Sequence, residues 1–325
     1  MKRFLVLAFS LALAGLSFSQ TGVQASDTLS ETGGKPPRDP AGLEIFRRAY
    51  PDVFFNAIYQ RELMDWKVEL TIPDGADTRT ATLYWANGSM LPESELSRKE
   101  KYWTLLYGYK YGEPLEDPAD FTPEHVNRMK NFGSSENRRN GAGTPMFFFD
   151  ALYESHSQAS LERHIEKVTF LGKPVRVHQR LKEPLKRVEA RINQAAATDS
   201  TIKPFIAEIN QLDAYYWRLI AGTNRKSFHS LGIAVDILPK SLKGKAIFWS
   251  WTKDVDPNWM LTPLSKRWMP PQTVIDIFED EGFIWGGKWG IWDNMHFEYH
   301  PELILAAKQK KGVLQNEATE KGLQF

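Results

Sequence analysis

The 325-residue sequence has no cysteine. No disulfide can brace the fold and no lipid can be attached through a lipoprotein cysteine, so an exported chain of this size must rely on its core. Histidine is scarce, with seven in all, so the ways of binding a transition metal are few. Net charge is nearly absent too: the formal value is +1, and no basic excess points to nucleic acid as a partner. Long apolar runs are lacking. The one near the start, Phe4 to Leu16, is shorter than the about 20 residues that cross a bilayer. Lys2 and Arg3 precede it and small residues follow, the pattern of a secretory signal peptide over residues 1–25 with cleavage after Ser19 or Ala25. After cleavage the chain keeps no stable membrane anchor, and its formal charge moves from +1 to −1.

Composition then divides what remains. Residues 26–41, "SDTLSETGGKPPRDPA", read as a flexible linker. Residues 42–145 form an N-terminal region without a recognisable motif. Within it "TATLYWANGSM" alternates as a strand does, with Asn87-Gly88 as a turn. "FTPEHVNRMKNF" has the capping pattern of a short helix, with Thr122 as N-cap and Pro123 in the first turn. Phe132 to Pro145 is polar and glycine-containing and is expected to be a loop at a soft boundary. Residues 146–312 are patterned more sharply. A helix is expected first, then a hairpin around Gly172-Lys173-Pro174, then an amphipathic helix with Leu181, Leu185, Val188 and Ile192 on one face. A further helix opens at Pro270-Pro271 and stops at Gly282. Short β-branched and aromatic runs between 227 and 300 read as strands, and residues 313–325 as a polar tail. The fold class is α+β: a small antiparallel sheet with flanking helices, plus an N-terminal extension.

Two segments carry the chemistry. In "SFHSLGIAVD", Ile233, Val235 and Ile237 alternate with Ala234, Asp236 and Leu238, so Asp236 lies on a strand. A carboxylate buried there is costly unless something positive meets it. His229 precedes the strand, and Gly232 allows the close backbone approach that returns its imidazole towards Asp236. In "WGGKWGIWDNMHFEYHPEL", Asp293, His296, Glu298 and His300 fall within eight positions. His296 and Glu298 share a face of an extended segment. Pro301 and the neighbouring aromatics argue against His296 and His300 forming a helical metal pair. A histidine and an aspartate from the first segment plus one histidine from the second make three zinc-type ligands with a fourth position open. That is the stoichiometry of a catalytic site, and a carboxylate beside the last ligand could take a proton from water.

These segments resemble the signatures of the M15 metallopeptidases, which trim and cut peptidoglycan peptides as D-alanyl-D-alanine carboxypeptidases, dipeptidases and L-alanyl-D-glutamate endopeptidases. Ser227-Phe-His229-Ser-Leu-Gly232-Ile-Ala234-Val-Asp236 fits SxHxxGxAxD, and Asp293-Asn-Met-His296-Phe-Glu298 fits DxxHFE. The resemblance runs less strictly over about 145 to 310, through "WRLIAGTNR" and "GFIWGGKW". It implies a secreted zinc peptidase of the periplasm or cell envelope, acting on peptidoglycan stem peptides through metal-activated water. His229, Asp236 and His296 would hold Zn2+, Asp293 would be the general base, and Arg218 would hold a substrate carboxylate or the developing oxyanion. Ser227 would bond near the metal or cap its turn, and Glu298 would orient a ligand. His300 stands where an arginine is expected and is assigned to the rim. Seven of the eleven tryptophans fall between Trp249 and Trp292; most are expected to pack in the core, with Trp289 and Trp292 lining the site.

Overall fold

The computed structural model describes residues 39–312. The segments expected to be a signal peptide, most of the linker and a polar tail lie outside the described residues.

Three antiparallel sheets and short helices make up the fold, the α+β class expected. The N-terminal sheet joins β1 (Phe54–Gln60), β2 (Asp65–Asp74) and β3 (Asp77–Tyr84) in sequence order. Along β2 every second residue, Trp66, Val68, Leu70 and Ile72, is buried, the period of a strand with one covered face. Helix α1 (Leu43–Ala49) contributes Leu43 and Phe46 to the same core, and the Phe46 ring meets Phe55, Trp85 and Phe148. After β3 the chain turns at Asn87-Gly88, both left-handed. Helix α2 (Pro123–Phe132) is capped as expected: Thr122 Oγ1 accepts from the His125 N–H at 3.2 Å. The stretch from Phe132 to Pro145 is more ordered than its composition suggested. A further helix, α3 (Ser135–Asn140), lies in it, its Ser134 cap accepting from Asn137 N–H. It buries no residue, so no apolar period marked it in the sequence.

Next come α4 (Phe147–Tyr153), α5 (Gln158–Glu162) and the hairpin of β4 (Ile165–Phe170) and β5 (Lys173–His178). Its turn falls at Leu171-Gly172, one step earlier than the proline suggested. Helix α6 (Lys182–Ala195) buries Leu185, Val188 and Ile192, and α7 (Ile202–Glu208) leads into the third sheet. That sheet contains β6 (Ile209–Asp213), β7 (Ala234–Pro239), β8 (Phe283–Trp285) and β9 (His296–Tyr299), in the order β6-β7-β9-β8. Alternation gives it two unlike faces. Val235, Ile237, Phe297, Phe283 and Trp285 form the apolar one, against which α9 (Gln272–Asp280) lays Phe278, stacked 4.0 Å from Phe297. The other face carries Asp236, His296 and Glu298.

The N-terminal region and residues 146–312 share one continuous core, from Leu43 and Val68 through Phe148 to Phe297. Two fully buried carboxylates join them. Tyr50 Oη donates to Glu302 Oε2 at 2.6 Å, at the start of α10 (Pro301–Lys310), and Tyr109 Oη donates to Glu279 Oε1 at 2.5 Å on α9. Glu279 also pairs with buried Lys288 at 2.6 Å and accepts from Gly112 N–H at 3.1 Å. A buried carboxylate without such partners is severely destabilising, so the N-terminal region completes the fold of the rest.

Candidate active site

Strand register brings the two sequence segments together. Asp236 on β7 lies directly opposite His296 on β9, and Ala234 opposite Glu298. His229 sits in the short turn Phe228–Leu231 just before β7. Ser227 caps that turn, its Oγ accepting from His229 N–H at 3.3 Å, which is the turn-capping role of the two considered for it. Gly232 ends the turn at φ 68°, in the left-handed region. A Cβ there would also meet His178 N and Ile165 Cδ1, each at 2.7 Å. Glycine is therefore required twice over for His229 to fold back beside the strand.

The tautomers follow from the partners. His229 Nδ1 lies 2.5 Å from the Ala214 carbonyl, which can only accept, so Nδ1 carries the proton and Nε2 presents a lone pair. His296 Nε2 lies 2.8 Å from Glu298 Oε1, and an ionised carboxylate accepts, so Nδ1 presents the lone pair of the neutral ring. These two nitrogens are 3.2 Å apart. Asp236 closes the group, with Oδ2 at 3.2 Å from His229 Nε2 and Oδ1 at 2.7 Å from His296 Nδ1. Two lone pairs and a carboxylate converging this closely repel one another unless a cation lies between them. A proton on His296 can serve. Burial pulls that imidazole down, but Asp236 and Glu298 outweigh burial and hold its pKa well above the ordinary value. The same balance, burial opposed by His296 and His229, keeps Asp236 below the usual carboxylate range. A divalent metal serves better, because two imidazoles and a carboxylate are the donor set zinc takes when one position is left for water or substrate. The residues fit such an ion.

Asp293 and Glu298 have opposite environments. Glu298 is bonded to His296, and His300 Nε2 lies 3.3 Å from its other oxygen. Burial alone would raise it, yet these partners bring it down to about 2. Asp293 Oδ1 is buried and has no hydrogen-bond partner. Burial and the charge of Asp236 push Asp293 up to about 7 against the opposing pull of His296. Main-chain bonds draw its loop inward. Asp293 N–H donates to Gly286 O at 3.0 Å, Asn294 N–H to Ile247 O at 2.9 Å and Trp249 N–H to Trp292 O at 3.0 Å. Gly286 is needed for this approach, since a Cβ there would lie 2.6 Å from Asp293 O.

The remaining candidates are spread around this group. Trp289 is half-buried, its ring 5.4 Å from that of His296. Trp292 is fully buried in a satellite core with Trp249, Trp259 and Met260, under the Arg267 guanidinium at 4.5 Å, so it packs where lining was expected. Arg218 is exposed; its main-chain N–H donates to Ser230 Oγ and its carbonyl accepts from Ser227 N–H, fixing its backbone beside the His229 turn. His300 overturns its assignment to the rim. It is 2 % exposed, between Glu302 and Glu298 and against the Phe149 and Phe228 rings. The two carboxylates outweigh burial and raise it to about 9. Its signal in the sequence was the alternation of His296, Glu298 and His300 ahead of Glu302, which places acid and base side by side; Tyr50, which bonds Glu302, left none. A second group, Asp74, Glu154 and His164, also brings three possible metal ligands together. Arg79 Nε already lies 3.2 Å from Asp74 and 3.4 Å from Glu154, and Arg163 pairs with Glu154, so cations of the chain itself neutralise it.

Comparison with known families bears on the same residues. Residues 221–299 match the family model described as D-alanyl-D-alanine carboxypeptidase. The matched segment contains both motifs and all of His229, Asp236, Asp293, His296 and Glu298, and supports a peptidase of the M15 family, peptidoglycan-directed at family level. Arg218 lies three positions before it begins. Residues 42–106 match a domain of unknown function (DUF8518). No curated protein and no solved structure matches the chain. Among the described residues no helix is long and apolar enough to cross a membrane.

Proposed function

We propose that the protein is an exported zinc peptidase that hydrolyses peptide bonds in the stem peptides of bacterial peptidoglycan. The observation that carries this reading is the convergence of His229 Nε2, His296 Nδ1 and the Asp236 carboxylate, all within 4.8 Å of one another, with Asp293, whose buried Oδ1 has no hydrogen-bond partner, three residues before His296. His229, Asp236 and His296 hold the metal. The chemistry zinc supplies at a site of this kind is polarisation of a carbonyl and a water made acidic near neutral pH.

The chain's own residues do the rest. Asp293, its pKa raised to about 7, is matched to taking a proton from water and returning it to the leaving amine at neutral pH. Glu298 holds the His296 ring by Nε2, so that Nδ1 stays directed at the metal position. Arg218, exposed next to the His229 turn, offers a planar fork of donors to a substrate carboxylate or the developing oxyanion. Trp289 forms one wall beside His296. The basic and apolar N-terminal sequence supports export to the periplasm or cell envelope.

Digestion of purified peptidoglycan by the zinc-loaded protein, with product masses compared with a chelated control, tests the reading. Metal-dependent loss of terminal D-alanine makes it a carboxypeptidase, and cleavage between L-alanine and D-glutamate makes it an endopeptidase. An unchanged sacculus with zinc bound would leave a wall-binding protein or a peptidase with another substrate.

A further inference from the structure

The N-terminal region reaches His296 through a run of buried polar groups, hydrogen-bonded except where His300 and Glu298 meet as an ion pair. Tyr50 Oη donates to Glu302 Oε2 at 2.6 Å, and Glu302 Oε1 meets His300 Nδ1 at 2.8 Å. His300 Nε2 faces Glu298 Oε2 at 3.3 Å, and Glu298 Oε1 holds His296 Nε2 at 2.8 Å. Every member is 7 % exposed or less. We infer that Tyr50, Glu302 and His300 are positioning residues, which fix the Glu298 carboxylate and through it the His296 ring that directs Nδ1 at the metal. This inference rests on the zinc reading above.

The physical case is geometric. A carboxylate with one partner can rotate about its last bond, and His296 would rotate with it. Glu298 is bonded to His296 through one oxygen, and its other oxygen faces the His300 imidazole as an ion pair, 3.3 Å from Nε2, which favours one orientation. His300 needs the same constraint at its other nitrogen, and Glu302 provides it. Phe149 and Phe228 stand nearly perpendicular to the His300 ring, at 82° and 89°, and limit its tilt. Phe228 is the neighbour of His229, so the same packing touches both histidine ligands. The line ends at Tyr50, whose ring packs on Phe148 at 5.5 Å and whose hydroxyl donates a hydrogen bond to Glu302 from outside residues 146–312. A role in setting the metal geometry thereby falls to a residue far from either motif.

Zinc affinity of the full chain, measured by competition with a chromophoric chelator, separates positioning from mere packing. Partners that orient a metal's ligands change affinity by roughly 10- to 100-fold when removed. His300→Gln should weaken zinc binding by about 10-fold or more, and Tyr50→Phe, which removes one hydroxyl and keeps the ring, by several-fold on the same scale. Cobalt substituted for zinc should show an altered absorption spectrum in both variants. Variants that are folded, bind zinc within about twofold of wild type and leave the cobalt spectrum unchanged would overturn the inference; twofold is well inside the effect expected. Should His300→Gln fail to fold, Tyr50→Phe decides alone. A wild-type chain that binds no zinc overturns both this inference and the proposed function, whereas wild-type binding with indifferent variants overturns this inference only.

Discussion

The N-terminal region and residues 146–312 differ in what their sequences announce and in what the structure asks of them. The second carries two motifs, the converging ligands and a match to a family of described activity, where the first matches a domain of unknown function. The first carries no motif, yet Tyr50 and Tyr109 supply the partners of two fully buried carboxylates in the other, and Leu43, Phe46 and Val68 lie in the same core. A candidate site can thus be local in sequence while the fold that keeps it rigid is not.

Removing the first region should have the largest effect. A chain beginning at residue 146 leaves Glu279 and Glu302 without their tyrosines and strips one side of the core, and should show no cooperative unfolding transition in calorimetry. A stable, cooperatively folding fragment would make the N-terminal region an accessory. His229→Ala acts from the other side. It should lose both zinc and turnover while the far-ultraviolet spectrum stays that of wild type, because the ligand belongs to the site and little of the core depends on it.

Gly232→Ala sharpens the comparison where fold and site meet. Left-handed strain alone costs about 1–2 kcal/mol, and the 2.7 Å approach to His178 N adds to it. Its thermal midpoint should fall, with zinc affinity falling alongside as the His229 turn shifts. The smallest effect concerns pH. His300 rises from 6.5 to about 9 on folding, so its pairing stabilises the folded state fully below 6.5 and loses that contribution as pH rises through about 9. In chelator, wild-type stability should therefore decline across that window in denaturant titrations. His300→Gln should be less stable than wild type at low pH and should lack this decline.

Much of the site was legible because its ligands come from two short segments whose period and order are characteristic. The strand of Asp236, the shared face of His296 and Glu298, and the helices capped at Thr122 and opened by Pro270-Pro271 all follow from local pattern. What escaped depends on distance in the chain. His300 looked like a rim residue because nothing near it in sequence reveals Tyr50 or the Phe149 ring. Trp292 looked like a wall of the site because it adjoins Asp293, but the loop turns its ring into the core under Arg267. Helix α3 escaped for the opposite reason: it buries no residue fully, so no apolar rhythm marks it.

In the proposed reaction a metal held by His229, Asp236 and His296 works with Asp293 as the proton acceptor. Asp293→Asn tests it most directly, with zinc content and release of peptides from purified peptidoglycan measured on the same sample. Zinc should be bound as in wild type, and no product should be released. Turnover retained in the Asn variant would remove Asp293 from the reaction, and loss of zinc in that variant would make it a ligand and contradict the site described here.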